Sequence, residues 1–282
     1  MAATTPTAAA GQAIEEVETD LLLDAVYRLR GFDFRDYARG SLRRRIQNRL
    51  RAEKVHTITG LLDKIIHDAS CMDRFVGGLS VNVSSMFRDP GFFRALRAQA
   101  LPVLRTWPYI RIWLAGCAMG EEVYSVAIVL EEEGLVGRCR IYATDINETL
   151  LERAREGIYP LGLMQRCTQN YFQAGGSRSF SEYYTAAYNN AIFRPALREQ
   201  IVFAKHNLVT DGPFNEFHLI LCRNVMIYFN QRLQDRVHHV LYDSLANFGM
   251  LGLGAKETLS FTPLESRYEA LDASHRLYRR VI

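Results

Sequence analysis

The strongest constraint on this chain is an alternation that begins near residue 108. Short apolar runs, each ending in glycine or a polar residue, are separated by segments of helical period. Tyr109-Ile-Arg-Ile-Trp-Leu-Ala-Gly116 reads as a strand and Glu121 to Glu133 as a helix. Arg140-Ile-Tyr-Ala-Thr-Asp145 reads as a second strand and Glu148 to Glu156 as a second helix. Further strands are expected at Ile201 to Ala204, Phe217 to Cys222 and Met250 to Leu253, with a helix over Gln231 to Leu245 before the last. Glu257 to Phe261 and His275 to Tyr278 are expected to add short edge strands. Strands alternating with helices specify an α/β fold, an open and mainly parallel sheet whose right-handed crossovers cover both faces.

The preceding segment has no strand signal. Leu21, Leu22, Ala25, Val26 and Leu29 recur at helical spacing, as do Leu42, Ile46 and Leu50, and then Leu61, Leu62, Ile65 and Ile66. The expected organisation is therefore a disordered stretch over residues 1–14, an all-helical domain and linker over 15–99, and an α/β domain over 100–282. Residues 157–200 are less regular, aromatic-rich and polar. They read equally as a small inserted subdomain or as a packed surface loop.

Composition narrows the function. The chain has 282 residues, 48% hydrophobic and 23% charged, values typical of a soluble globular protein. No apolar run approaches the roughly 18 residues of a membrane span, and the start has neither the basic end nor the apolar core of a signal peptide. The five cysteines, at 71, 117, 139, 167 and 222, are odd in number and lack close metal-ligand spacing. Free thiols in the cytoplasm, and no metal, are expected. A net charge of +3 does not argue for nucleic acid. Locally, however, Arg39, Arg43, Arg44, Arg45, Arg49, Arg51 and Lys54 face only Glu53, a basic helix without the stacking aromatics of a nucleic-acid surface.

In an open α/β sheet, ligands bind beyond the carboxyl ends of the strands. The first strand leads into Gly116-Cys-Ala-Met-Gly-Glu-Glu122, which is neither a dinucleotide nor a P-loop fingerprint. Glu121 and Glu122 would repel a phosphate at that helix start and suit a cationic ligand, although acids also simply favour a helix N-terminus. Asp145, 29 residues after Gly116, stands where an acid holds ribose hydroxyls. If it does not cap the next helix, Asn147 is placed to do so. Asn207-Leu208 could read the edge and face of an adenine. Arg223-Asn224 follows the most apolar strand, at the sheet centre.

These stretches together resemble the bacterial chemotaxis receptor methyltransferases, the protein-glutamate O-methyltransferases. Asn82-Val-Ser-Ser-Met-Phe-Arg88 is similar to Asn-x-Thr-x-Phe-Phe-Arg. Gly116-Cys-Ala-Met-Gly-Glu-Glu-Val-Tyr-Ser125 is similar to Gly-Cys-Ser-Thr-Gly-Glu-Glu-Pro-Tyr-Ser. Ala143-Thr-Asp-Ile146, Asn207-Leu208 and Cys222-Arg-Asn-Val-Met-Ile-Tyr-Phe229 match closely. Among the departures, Ser84 replaces threonine, Met86 replaces phenylalanine, and Gly254-Ala-Lys-Glu-Thr258 stands where Gly-His-Ser-Glu is common.

The resemblance implies a helical domain followed by a Rossmann-like class I methyltransferase domain that binds S-adenosyl-L-methionine and releases S-adenosyl-L-homocysteine. It implies cofactor contacts from Asn82, Ser84, Arg88, Glu121 or Glu122, Asp145, Asn207, Leu208, Arg223 and Asn224. Arg43, Arg44, Arg45, Arg49 and Arg51 would dock an acidic helical chemoreceptor. No residue need transfer a proton, since glutamate is already ionised near pH 7, and Arg88 and Tyr228 are candidates for shaping the pocket. A cytoplasmic monomer is expected, with neither nucleic acid nor membrane insertion. Two other readings are a cofactor- or receptor-binding scaffold with little turnover, and a methyltransferase acting on another acceptor.

Overall fold

The computed structural model describes residues 8–79 and 84–281. They form two compact units, one of Met1–Val81 with Tyr228–Leu233 and the other of Asn82–Ile227 with Gln234–Ile282. Among the described residues no helix is long and apolar enough to cross a membrane.

The first unit is built from α1 (Ala8–Arg30), α2 (Arg39–Glu53), α3 (Ile58–His67) and α4 (Ala69–Leu79). Helix α1 opens at Ala8, earlier than residue 15, because an alanine run has the highest intrinsic helix propensity. Residues 1–7 lie outside the described residues. Leu22, Leu23 and Val26 of α1 are buried with Leu42, Ile46 and Leu50 of α2, Leu61 and Ile65 of α3, and Phe75 of α4. Leu21 and Leu29, expected on the inner face, are about half exposed, at 52% and 53%. Glu53 ties three helices together by accepting from Lys64 at 2.9 Å and Arg74 at 2.8 Å. Those two hydrogen bonds, Arg74's first, hold its carboxyl far below the ordinary range.

Residues 228–233 complete this unit. The Ala38 N–H donates to the Tyr228 carbonyl and the Asn230 N–H to the Asp36 carbonyl, both at 2.8 Å. The Tyr37 ring meets Phe229 edge-on at 5.0 Å.

The second unit continues with α5 (Pro90–Ala95), a π-helical turn, α6 (Leu101–Leu104), β1 (Ile110–Ala115), α7 (Glu121–Glu132), β2 (Cys139–Asp145) and α8 (Glu148–Glu156). Next come β3 (Ile158–Pro160), α9 (Met164–Gln173), β4 (Tyr184–Ala187), β5 (Asn190–Phe193), α10 (Pro195–Arg198), β6 (Ile201–Lys205) and β7 (Phe217–Cys222). Helix α11 (Gln231–Asp243) from Gln234 onward, β8 (Leu245–Leu253), β9 (Tyr268–Asp272) and β10 (Leu277–Arg280) complete it. The division falls at 81/82 rather than 99/100, because α5 and α6 join this unit's core. Phe92, Phe93, Leu96, Leu101 and Leu104 share one buried cluster with Ile110 and Ile112.

The main sheet has the order β6-β2-β1-β7-β8-β10-β9. Its first five strands are parallel, and β10 runs antiparallel to both neighbours. Strand order reverses between β1 and β7, the switch point at which such sheets open a crevice. The expected strand over Glu257 to Phe261 does not form. Glu257 N–H closes a turn onto Gly254, and Phe261 sits at a left-handed φ of +65°, away from extended backbone. The edge strand is β9 instead. His275 lies in the turn before β10, where its N–H donates to Asp272 at 3.0 Å.

Residues 158–193 contribute a separate antiparallel sheet, β3-β5-β4. Glu132 at the end of α7 anchors the region around it, accepting from Tyr171, from Tyr183 at 3.1 Å and from the Ser177 N–H at 3.2 Å.

Candidate functional site

The carboxyl ends of β1, β2 and β7 carry three connected turns. After β1 the chain reverses through Gly116 at φ +73°, Ala118 at +48° and Gly120 at +89°. The glycines are needed both for that backbone and for space. A Cβ at Gly116 would lie 2.6 Å from a Val225 methyl, and one at Gly120 would lie 2.9 Å from the Ala154 methyl. The turn is stitched to β2 by Gly116 and Cys117 N–H groups donating to the Thr144 carbonyl at 2.8 and 2.9 Å. Tyr159 donates to the Met119 carbonyl at 2.7 Å.

Asp145, at the end of β2, holds this turn and the next. One oxygen accepts the Ala118 N–H and the other the Asn147 N–H, each at 2.9 Å. Burial raises its pKa, against the backbone donors that pull it down. Asn147, not Asp145, caps α8, through Oδ1 accepting from Thr149 and Leu150.

Arg223, directly after β7, is the most deeply engaged cation of the site. Only 1% of its side chain is exposed. It donates to Glu122 at 2.6 Å and to Asp89 at 2.9 Å, with the Arg88 carbonyl at 3.4 Å. Its guanidinium carbon lies 4.0 Å over the Phe92 ring. Glu122 therefore spends one oxygen on Arg223, and Arg223 spends both terminal nitrogens within the protein, while its buried Nε has no hydrogen-bond partner among the described residues. Glu121 is different. It is 5% exposed, burial raises its pKa, and its Oε2 has no hydrogen-bond partner among the described residues.

The turn carrying Arg88 is fixed from α7 and α9. Phe87 and Asp89 both have positive φ, at +52° and +56°. The Phe87 N–H donates to Ser125 at 2.9 Å, and Asn170 donates to the Met86 carbonyl at 3.1 Å. Met86 and Phe87 are fully buried, whereas Ser84 and Arg88 are half-buried. Asn82 lies outside the described residues. After β6, Asn207 turns Oδ1 back onto the Val209 N–H at 2.9 Å, and Leu208 is buried beside it. Asn224 adopts φ +61°, with its N–H held by Glu257 at 2.9 Å.

The structure thus brings Arg88, Glu122 and Arg223 together around Asp89, and Asp145 against the glycine turn. Sequence reading missed Asp89, Ser125 and Tyr159, and noted Glu257 without giving it a role. Only Ser125 had a local signal, four residues after Glu121 and so on the same helical face.

The basic helix divides in two. Arg43 pairs with Glu15 at 2.6 Å. Arg45 donates to the Leu79 carbonyl and lies 4.5 Å over the Tyr228 ring, in the helical unit. Arg49 meets Glu53 at 3.4 Å and the Arg74 carbonyl. Arg45 thereby satisfies the last carbonyl of α4, where a cation also suits the helix dipole, and Arg49 reaches a carbonyl in the middle of that helix. Arg44 and Arg51, one helical face apart by seven residues, are exposed and have no ion-pair partner among the described residues.

The donor set of the strand-end site fits S-adenosylmethionine. An ionised carboxylate offers about four acceptor positions. Two of Asp145's are taken, which leaves capacity for a ribose diol. Glu121 and Glu122 at the start of α7 disfavour a pyrophosphate and suit a sulfonium or an ammonium.

Comparison with known proteins points to the same cofactor. The model of the CheR methyltransferase all-alpha domain matches residues 18–80, and that of the CheR methyltransferase SAM binding domain matches residues 82–275. Cher3 of Pseudomonas putida, whose name describes a methyltransferase, is 46% identical over 265 residues, 94% of this chain and 97% of that one. The chemotaxis protein methyltransferase of Listeria monocytogenes is 30% identical over 87% of this chain and 92% of its own length. That of Escherichia coli is 30% identical over 86% and 84%.

Proposed function

Given that the chain belongs to the CheR methyltransferase family and is an S-adenosylmethionine-dependent methyltransferase, we propose that it methylates glutamate side-chain carboxylates on an acidic, helical chemoreceptor-type protein in the cytoplasm. The observation that carries this reading is the strand-end cluster of Asp145, Glu121 and Arg223-paired Glu122, joined in one chain to a helix that presents Arg44 and Arg51. The names of the chemotaxis relatives support the substrate class.

When bound, the cofactor supplies a methyl group on a sulfonium whose departing thioether is neutral. A substrate glutamate, with a free pKa of about 4.3, is already a carboxylate near pH 7. Neither a general acid nor a general base is required, so the protein's contribution is alignment. In this reading Asp145 receives the ribose hydroxyls, and Asn207 and Leu208 border the adenine. Asn82, Ser84, Arg88 and Asn224 border the methionine part. Arg223 orients Glu122 toward the amino group. Arg44 and Arg51 steer an acidic helix by long-range attraction.

The test is incubation of the protein with methyl-labelled cofactor and purified cytoplasmic domains of chemoreceptors. Label released as methanol by mild base identifies a carboxyl ester. Base-stable label, or cofactor binding without any label transfer, would rule out the glutamate assignment.

A further inference from the structure

We propose that Glu257 is a positioning residue that sets the cofactor-facing turn Asn224–Met226 by gripping its backbone. The inference rests on the reading of Asn224 as a cofactor neighbour, and adds to it what holds Asn224 in place.

Glu257 is 5% exposed, and both of its oxygens are saturated by main-chain donors. Oε1 accepts the N–H groups of Val225 and Met226, each at 2.8 Å. Oε2 accepts the N–H of Asn224 at 2.9 Å and that of Gly254 at 2.6 Å. Four donors use the whole acceptor capacity of a carboxylate. None remains for substrate or cofactor, so Glu257 acts through the turn and does not touch a ligand.

The turn needs such a grip. Asn224 sits at φ +61°, a left-handed conformation that L-residues adopt at a cost. Three consecutive N–H groups from 224 to 226 point inward, where an unpaired donor is expensive. Gly254 closes the other side. A Cβ there would lie 2.7 Å from both the Asn224 nitrogen and Glu257 Oε2, and 2.8 Å from Asn224 Nδ2. Val225 in turn fills the space beside Gly116, which opens the turn after β1. The carboxylate after β8 thus fixes the turn after β7, and that turn abuts the one after β1.

Three variants and one measurement on the parent protein test this. Glu257→Gln keeps one oxygen but turns an NH2 group toward two N–H donors. It is expected to weaken S-adenosylhomocysteine binding at least tenfold by calorimetry at 25 °C, in protein that remains folded. Glu257→Asp, still ionised but shorter by one methylene, is expected to recover part of the affinity. Gly254→Ala, which presses on both the turn and the Glu257 carboxylate while keeping the carboxylate's charge, is expected to weaken binding as well. In the parent protein, hydrogen exchange at Asn224, Val225 and Met226 is expected to be slow without ligand. A folded Glu257→Gln or Gly254→Ala protein that binds the product like the parent would overturn the proposal, as would fast exchange at those amides. A purely structural role lowers the melting temperature and leaves the affinity unmoved. Asp145→Asn separates this failure from failure of the site itself. If Asp145→Asn also binds normally, the cofactor reading is wrong; if it alone loses affinity, only the role of Glu257 is.

Discussion

Arg223 donates to Glu122 at 2.6 Å from a position where only 1% of its side chain reaches solvent. A buried cation between Glu122 and Asp89 is a tie that neither carboxylate can replace. Removing one partner of such a pair leaves uncompensated charge. Arg223→Ala is therefore expected to destabilise the protein by roughly 3 kcal/mol. Arg223→Lys, which keeps the charge and loses the fork, should fall between it and the parent. Chemical denaturation of the three proteins measures this. Equal midpoints would show that the tie contributes nothing.

Asp145 joins two turns and, in the proposed reading, a ribose. Asp145→Ala removes an acceptor from the N–H groups of Ala118 and Asn147 and from any ligand hydroxyl. Affinity for S-adenosylhomocysteine is expected to fall about tenfold or more, as loss of a charged hydrogen-bond partner implies. Calorimetry on the folded variant decides it.

The basic helix offers a sharper contrast than its composition suggests. Arg44→Glu with Arg51→Glu should slow methylation of an acidic receptor several-fold at low salt and flatten the salt dependence, with cofactor affinity unchanged. Arg49→Ala should act on stability instead, since Arg49 holds Glu53 and the Arg74 carbonyl. Rates across a salt series, beside melting curves, separate the two effects.

His238 predicts an acid-sensitive component of stability. It is 1% exposed, and burial lowers its pKa to about 4 from the ordinary 6.5. The folded state therefore holds it neutral, while the unfolded chain takes up a proton below pH 6.5. Stability is full above pH 6.5 and is lost as the pH falls toward 4, by about 3 kcal/mol for a shift of this size. His238→Leu should lose less stability than the parent over that interval, with a similar difference in denaturation midpoints. Parallel pH profiles for the two proteins would refute the assignment. Its neighbour His239 is exposed and serves as a control.

The sheet was legible because its central strands are largely apolar runs, as in Phe217 to Cys222, where every residue is buried and only His218 is polar. The domain boundary was not. Helical period announces that Pro90 to Leu104 is helical, but which core receives Phe92 and Leu101 depends on β1, which comes later in the chain. The edge strand was misplaced for a related reason. Leu259 and Phe261 look extended until the left-handed backbone at Phe261 breaks the run. Within the candidate site, glycines and strand-end polar residues marked the turns that follow β1, β2 and β7. The partners did not show, because Glu122 meets a residue 101 positions away, and Glu257 grips backbone rather than side chains. Pairings of that range leave no periodic trace.

The interleaving of the helical unit with residues 228–233 bears on any attempt to excise it. A fragment ending at residue 81 would leave Tyr37 without the Phe229 ring, Arg45 without Tyr228, and the Ala38 amide without its acceptor. Such a peptide would begin life with a gap in its flank, and tethering the short stretch back in trans or by circular permutation would be the way to mend it.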